Sequence, residues 1–503
     1  MSQKAACLAV FGTGSDVGKS IVTTALCRIF ANYGLKVAPY KAQNMSNNSG
    51  VTPEGLEMGR AQIVQAEAAR IPPHCDMNPV LLKPVSDVGS QVVLNGAAWI
   101  DASSQDYYTK KDFLFGESIA ALERLRSEND LIIMEGAGSC AEVNLMANDI
   151  VNLRMAAKAE APVILVADID RGGVFAQVVG TLACVSPEQQ QLISGFVINR
   201  FRGDIALFKN GIDWIEERTG KPVFGVLPWF KHFRIEAEDA VVIENSPRFT
   251  PGSASDPTIG VLRLPHISNF TDFDPLSELP GCNLAYLQQP QDLNGLAAVI
   301  LPGSKSTCSD LQWLVESGWK DRLMRYRAEG GHILGICGGY QMLGTWVRDP
   351  DGIEGTAGST KGLGLLPVET VLKAPKTTTL TDFRWQGICG RGYEIHMGRT
   401  DPPKEQSLMT VDRRNGIDCN DFDGCRSEDG YVVGTYMHGL FDAPEITQHW
   451  LNAIGLSQVH VDTQHGPAAR DQAYEQLAEH TAKHLDIEGI IRLLPQELQE
   501  RLR

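Results

Sequence analysis

A chain of 503 residues, 43% hydrophobic and 21% charged, is too long for one hydrophobic core and reads as a globular protein of two or three domains. Its formal net charge of −16 argues against nucleic acid as a partner, although a local cluster of Lys, Arg and helix N-termini can still hold an anionic small molecule. No apolar run reaches the roughly 18–20 residues of a membrane span, so no membrane partner is expected. Residues 1–4 lead straight into a strand pattern rather than a signal peptide. Eleven scattered cysteines without a C-x-x-C pair argue for reduced thiols, and the expected location is the cytoplasm.

Residues 1–245 alternate short Val/Ile/Leu runs with helix-like stretches. Strands are expected at 7–11, 37–40, 131–134, 162–167, 195–199 and 223–227, the pattern of a parallel sheet covered on both faces. Between the first strand and a helix expected over 19–33 lies Gly12-Thr13-Gly14-Ser15-Asp16-Val17-Gly18-Lys19-Ser20. Glycines there let backbone N–H groups curl around phosphate oxygens, Lys19 adds a positive charge, and Ser20 offers a hydroxyl to Mg2+. The usual G-x-x-x-x-G-K-[ST] pattern needs Gly where Thr13 stands, so the loop is a variant. After the second strand, the amide-rich run from Lys41 to Ser49 offers donors, Lys41 and Asn44 among them, to an anionic substrate or phosphate.

Mg2+ takes hard oxygen ligands. Glu135, just past the 131–134 strand, is placed at the carboxyl edge of a sheet, where open α/β sheets bind ligands. Glu57 opens a helix expected over 57–70; it is a second ligand candidate or a partner of its own helix dipole. Asp168 and Asp170 also follow a strand and compete for a place near the ligand.

Residues 246–257, rich in Ser, Pro and Gly, read as a linker between domains. A second α/β series fills 258–450, with strands expected at 259–264, 297–301, 332–336 and 432–436. Residues 451–503 form an extension in which a helix is expected over 467–494, with Tyr474, Leu477, Ala478 and Leu485 as a core-facing stripe. There is no internal repeat.

In the second series, Gly335-Ile336-Cys337-Gly338-Gly339 sits at a strand-to-helix turn. Such a turn pushes the sulfur outward and sets it at a helix N-terminus, which favours a thiolate. For an isolated cysteine in a glycine turn the better reading is a buried structural thiol; here the surroundings reverse it in favour of a nucleophile. His438, at the end of the 432–436 strand and followed by Gly439, is the candidate base. The turn Pro302-Gly303-Ser304 places the Gly303 N–H to join that of Gly338 in an oxyanion hole, where losing one donor costs roughly 10²–10³ in kcat.

These features resemble the triad-type (class I) glutamine amidotransferase domain, with one departure: the Glu often found two residues after the His is replaced by Leu440. Either a Cys–His dyad suffices or another group, such as Glu394, orients the ring. Taken in order, the motifs GTGSDVGKS, KAQNMSNNS, MEGAGSCAEVNL, VADIDRGGVFA, VINRFRGD, LPGSKST, ICGGYQMLG, YEIHMG and YMHGLF resemble the cobyric acid synthase family of cobalamin biosynthesis, over about residues 4–450. The first domain is similar to dethiobiotin synthetase, whose phosphate loop shows the same extra residue. The implied fold is α/β in two domains: an N-terminal P-loop (dethiobiotin-synthetase-like) parallel-sheet domain and a C-terminal glutamine amidotransferase-like domain.

The resemblance implies ATP and Mg2+ as cofactors, with glutamine, ATP and a corrinoid as small-molecule substrates. It implies amidation of the b, d, e and g carboxylates of adenosylcobyrinic acid a,c-diamide through an acyl phosphate. Gly12, Thr13, Gly14, Gly18, Lys19, Ser20 and Lys41 would then serve the nucleotide phosphates and Asn199 the adenine. Ser20, Glu57 and Glu135 would hold Mg2+, and Asp149, with Asn44, would lie near the corrinoid. Rival readings are the a,c-diamide synthase, which shares this plan, and a partition-type P-loop ATPase with an inert second domain. The oligomeric state is left open.

Overall fold

A computed structural model describes residues 4–86, 89–230, 235–236 and 256–502. Of the linker expected at 246–257, all but the last two residues lie outside these. The N-terminal half contributes strands β1 (Ala6–Gly12), β2 (Val37–Tyr40), β3 (Gln43–Met45), β4 (Ser49–Val51), β5 (Glu57–Gly59), β6 (Val80–Ser86), β7 (Gly89–Leu94), β8 (Ala97–Ser103), β9 (Leu131–Glu135), β10 (Val163–Asp168), β11 (Ile193–Phe201) and β12 (Val223–Pro228). Six form a parallel sheet in the order β12-β11-β10-β1-β9-β2. Its central strands are apolar at nearly every position because both faces are covered: Cys7, Ala9 and Phe11 of β1 enter one core cluster, Leu8 and Val10 the other.

The expected strands all form, and pairing in the ladder carries β9 on to Glu135 and β10 on to Asp168. The expectation of one helix over 57–70 needs correcting. Glu57, Met58 and Gly59 pair antiparallel with Val51, Gly50 and Ser49, and the helix runs only over Arg60–Ala68. Tertiary hairpin pairing has overridden local helix propensity. The pattern also gave no sign of a four-stranded sheet in the order β3-β6-β7-β8, which stands between the two halves.

The C-terminal half contributes β13 (Thr258–Leu262), β14 (Ile267–Ser268), β15 (Asn283–Leu287), β16 (Leu296–Leu301), β17 (Gly303–Ser304), β18 (His332–Ile336), β19 (Trp346–Asp349), β20 (Gly358–Lys361), β21 (Glu369–Val371), β22 (Thr377–Trp385), β23 (Ile388–His396), β24 (Arg399–Thr400), β25 (Ser407–Arg414), β26 (Ile417–Arg426) and β27 (Val432–Thr435). A nine-stranded sheet runs β15-β13-β16-β18-β27-β26-β25-β22-β23. It is parallel from β15 to β27 and antiparallel beyond. Cys337 follows β18 and His438 follows β27, so adjacent parallel strands deliver both to the same sheet edge.

The expected 467–494 helix is broken. It spans Pro467–His484; Leu485 turns extended (φ −110°, ψ 145°) to bridge Gly225, and a short helix, Ile487–Ile491, follows. This tail packs on the N-terminal sheet, adding Tyr474, Ala478, Leu485 and Ile490 to its core. Arg28, whose side chain is wholly buried, ion-pairs there with Asp471 and Glu475. Among the described residues no helix is long and apolar enough to cross a membrane.

Because Ile490 is fully buried in that cluster, Ile490→Ala should cost about 2–5 kcal/mol through lost transfer energy and a residual cavity. Denaturant unfolding followed by fluorescence would measure this; an unchanged midpoint would mean that the tail is only loosely attached.

Candidate active sites

The phosphate loop is held in shape before any ligand arrives. Gly18 has φ +97°, and a Cβ there would stand 2.0 Å from Asn199 Nδ2, so glycine is required. Asn199 Nδ2 donates to the Val17 carbonyl at 2.9 Å. The contact the structure gives Asn199 is thus a brace from β11 onto the loop. Thr13 lies at the loop's start, its N–H bonded to the Val166 carbonyl at 3.0 Å. Lys19 Nζ folds back across the loop to donate to the carbonyls of Gly14 and Gly138, each at 2.9 Å.

Ser20 Oγ donates to Glu135 Oε1 at 2.9 Å, and Lys41 Nζ donates to the same oxygen at 2.9 Å. Gln65 Nε2 donates to the other. Burying the Lys41–Glu135 pair is costly unless its remaining lone pairs are satisfied, which Ser20 and Gln65 do. Ser20, Lys41 and Glu135 are therefore brought together as the sequence suggested. Gly18, Lys19, Ser20, Lys41 and Asn44 line a cavity of about 1050 Å³ together with Tyr107, Lys111 and Asp149. Burial raises the Asp149 carboxyl above its ordinary range even though it accepts from the Val151 and Asn152 N–H groups. Burial also brings Lys111 down to about 8 against the pull of Asp149.

Glu57 is not brought to this group. Its carboxylate accepts from Ser49 Oγ at 2.8 Å, Lys83 Nζ at 2.6 Å and Lys376 Nζ at 2.5 Å. Burial alone would raise its pKa, but the two ammonium groups outweigh that and hold the carboxyl well below the usual carboxylate range. The β4–β5 hairpin carries it to this lysine pair, and it does not line the cavity at the phosphate loop. Asp168 and Asp170 are likewise occupied, by Arg200 at 2.9 Å and Arg202 at 2.5 Å.

At the other site Cys337 takes φ +52°, ψ −110°, a conformation rare for a residue with a side chain. The turn is tight: a Cβ on Gly339 would stand 2.0 Å from the Leu301 carbonyl oxygen. The Cys337 N–H bonds to Thr435 of β27 at 2.8 Å, and Sγ lies 3.5 Å from the Ile395 carbonyl. His438 exchanges both backbone hydrogen bonds with Tyr393 and stacks on its ring at 5.2 Å. Gly303 stands beside the imidazole, with a Cβ position 3.3 Å from His438 Cε1, and Gly338 abuts the Ser304 N–H. The two proposed oxyanion glycines thus flank the Cys–His pair.

The group that orients His438 is Asp272, which the sequence reading missed. His438 Nδ1 lies 2.6 Å from Asp272 Oδ2, and Asp272 Oδ1 accepts the Gly439 N–H at 3.0 Å. Burial works to lower the imidazole's pKa, but the Asp272 carboxylate and the Cys337 sulfur outweigh it and raise it to about 10. The result is an imidazolium facing the Cys337 sulfur. Glu394 does not play this part: it accepts from Thr379, Thr381 and Arg414, and its own histidine neighbour is His396 at 3.9 Å. Asp272 lies 166 residues before His438, so spacing could not find it. A signal existed in an aspartate set between Phe270 and Phe273, since a carboxylate buried among aromatics needs a partner.

Cys337 and His438 open on a cavity of about 430 Å³. Its lining includes Ser304 and Gln341 from the C-terminal half and Lys83, Gln91 and Asp101 from the N-terminal half. Neither half builds this site alone.

Comparison with known proteins agrees with both ends. Residues 8–242 match the family described as CobQ/CobB/MinD/ParA nucleotide binding domain, and residues 258–446 match the CobB/CobQ-like glutamine amidotransferase domain. The chain is similar to a cobyric acid synthase of Chlorobaculum tepidum, 51% identical over 488 residues, covering 96% of this chain and 97% of that protein. It is 52% identical over 497 residues to that of Chlorobium phaeobacteroides strain BS1, covering 97% and 99%. To that of Rhodobacter capsulatus it is 47% identical over 493 residues, covering 97% and 99%.

Two outcomes follow for Asp272. Asp272→Asn should lower glutamine hydrolysis by about 10²–10⁴-fold, since the imidazole loses its orienting carboxylate, whereas Glu394→Gln should cost at least tenfold less. Equal effects would return the role to Glu394. Secondly, the His438 pKa is raised from 6.5 to about 10, so the pair contributes stability that is fully present below about pH 6.5 and lost as pH rises through about 10. Denaturation between pH 7 and 10.5 should show this loss in the wild type, with a shallower slope in Asp272→Asn.

Proposed function

The chain belongs to the cobyric acid synthase family, and we propose that it amidates the b, d, e and g carboxylates of adenosylcobyrinic acid a,c-diamide with nitrogen from glutamine and energy from ATP. The observation that carries this reading is the buried Cys337–His438–Asp272 line, opening on a cavity that the nucleotide-binding half helps to wall. An inert second domain would have no use for it.

At the glutamine site, the Cys337 thiolate attacks the side-chain amide carbon, and the N–H groups of Gly303 and Gly338 take up the oxyanion. His438, already protonated and held by Asp272, gives its proton to the amide nitrogen of the tetrahedral intermediate, so that the C–N bond breaks and neutral ammonia leaves. The imidazole then removes a proton from the water that cleaves the thioester, and glutamate leaves.

At the other site a substrate carboxylate needs activation, because it is a poor acylating agent. One of its oxygens attacks the γ-phosphoryl group of ATP, ADP departs, and ammonia displaces phosphate from the resulting acyl phosphate. Lys19 and the loop N–H groups around Gly12, Gly14 and Gly18 balance the phosphate charge. The Ser20 hydroxyl and Glu135 carboxylate, side by side at the loop, form the hard-oxygen pair that suits Mg2+, which would neutralise phosphate charge there. Glu57 pairs with Lys83 and Lys376 and does not line the phosphate-loop cavity, so it does not join them. The cavity of about 1050 Å³ joins the phosphate loop to Asp149 and Lys111, so a substrate carboxylate can meet the nucleotide within one space.

Cys337→Ser should abolish glutamine-driven amidation yet retain amidation from high external ammonium, because the ATP site is untouched. Mass spectrometry of products made from the diamide, ATP and each nitrogen source reads both. If the wild type adds no amide groups from either source, the substrate assignment is wrong.

A further inference from the structure

The two cavities are separated by the sheet β3-β6-β7-β8, a single layer of strands. Because successive residues of a strand face opposite ways, β6, β7 and β8 each contribute to both cavities. Lys83, Gln91 and Asp101, neighbours in one cross-strand row, face the Cys337 cavity. Leu82, Val92 and Ala102 face the phosphate-loop cavity.

At the β3 edge of this wall the chain leads from Asn44, which lines the phosphate-loop cavity, to Ser49. The Ser49 N–H donates at 3.1 Å to Asn269 Oδ1, and Asn269 lines the Cys337 cavity. Behind this edge stand Gln62 and Gln65, both wholly buried. Gln62 accepts from Asn44 Nδ2 at 2.9 Å, and Gln65 donates to Glu135. Buried amides normally find partners for every polar atom. Among the described residues, Gln62 Nε2, Gln65 Oε1 and Asn47 Oδ1 have none.

We propose that this buried amide strip, running from Asn269 past Gln62 and Gln65 to Glu135, is the path by which ammonia passes from Cys337 to the carboxylate activated at the phosphate loop. The proposal rests on the reading that glutamine is hydrolysed at Cys337 and its nitrogen used at the other site. Neutral ammonia has one lone pair and three N–H groups. Gln62 Nε2 can donate to the lone pair, while Gln65 Oε1 can accept one of its hydrogens. Ammonium has no lone pair for Gln62 and meets Lys83, Lys305 and Lys376 around the Cys337 cavity. The strip therefore discriminates for the nucleophilic form. No bond forms or breaks along it.

Gly59 lies against the strip. An added Cβ would stand 2.9 Å from Asn78 Oδ1, 3.0 Å from Asn44 Nδ2 and 3.1 Å from Gln62 Oε1. Its backbone is ordinary (φ −59°, ψ 136°), so Gly59→Ala narrows the strip without backbone strain. Gln62→Met removes the unpartnered donor at similar volume.

Three rates are compared in each protein: glutamine hydrolysis, amidation from external ammonium, and amidation from glutamine. In Gly59→Ala and Gln62→Met the first two should stay within about twofold, while the third falls about tenfold, the scale of one lost buried hydrogen bond, and free ammonia accumulates. In the wild type, glutamine-driven amidation should persist when an ammonia-consuming dehydrogenase with its 2-oxo acid and NADH is added; in the variants it should collapse. Unchanged coupling in both variants, or a wild type that loses amidation to the scavenger, overturns the proposal. Loss of both half-reactions in Gly59→Ala would report misfolding, and Gln62→Met with the wild-type scavenger assay would then decide. A wild type inactive with either nitrogen source would instead sink the functional reading beneath it.

Discussion

Glu57 is the point on which the arrangement of the two halves turns. It is a fully buried carboxylate held by Lys83 from its own half and Lys376 from the other. Such a cluster adds little net stability, because desolvation consumes most of the Coulombic gain, but removing one member leaves an uncompensated buried charge. The cluster therefore acts as a registration device: the halves fit in one relative position or pay the full penalty. Burial brings Lys83 down to about 7 despite the pull of Glu57. Around it, Ser49 bonds Asn269 and Asn48 bonds the Phe270 N–H, so the same junction fixes the wall between the cavities.

Both reaction centres obey the same rule of buried charge with complete bonding. Glu135 has Ser20, Lys41 and Gln65 on its oxygens. Asp272 has His438 on one oxygen and the Gly439 N–H on the other. In each case a buried carboxylate, one at the end of β9 and one in the turn Phe270–Phe273, fixes the position of a functional group, the Ser20 hydroxyl or the His438 ring. That is preorganisation in the sense that matters for catalysis, since dipoles set in advance need not reorganise during reaction.

The sequence disclosed what local pattern can encode. Continuous apolar runs marked the buried parallel strands, and the glycine turns at Gly18 and Cys337 marked where strands hand over to helices. What it withheld depended on distant partners. The β4–β5 hairpin took Glu57 out of a plausible helix because its pairing with Ser49–Val51 outweighed propensity. The β3-β6-β7-β8 wall escaped notice because Lys83, Gln91 and Asp101 are polar residues facing a cavity, which blurs the alternation that usually marks a strand. Glu394 looked suitable for its place in a motif, yet Arg414 claims it.

The orientation of His438 shows why the missing carboxylate had to come from elsewhere. After Gly439 the chain tightens into a short turn, Leu440–Asp442, whose first two residues are buried in the hydrophobic core. A charged group at position 440 would be driven into that core, so Leu is the residue the turn demands. The space beside Nδ1 is filled instead from the turn Phe270–Phe273, where flanking aromatics bury the Asp272 stem and leave its oxygens toward His438. That turn is not free-standing: its first N–H is bonded to Asn48 of the nucleotide-binding half. The carboxylate that holds His438 is thus carried on a segment bonded to the other domain. The two chemistries share a support as well as a wall.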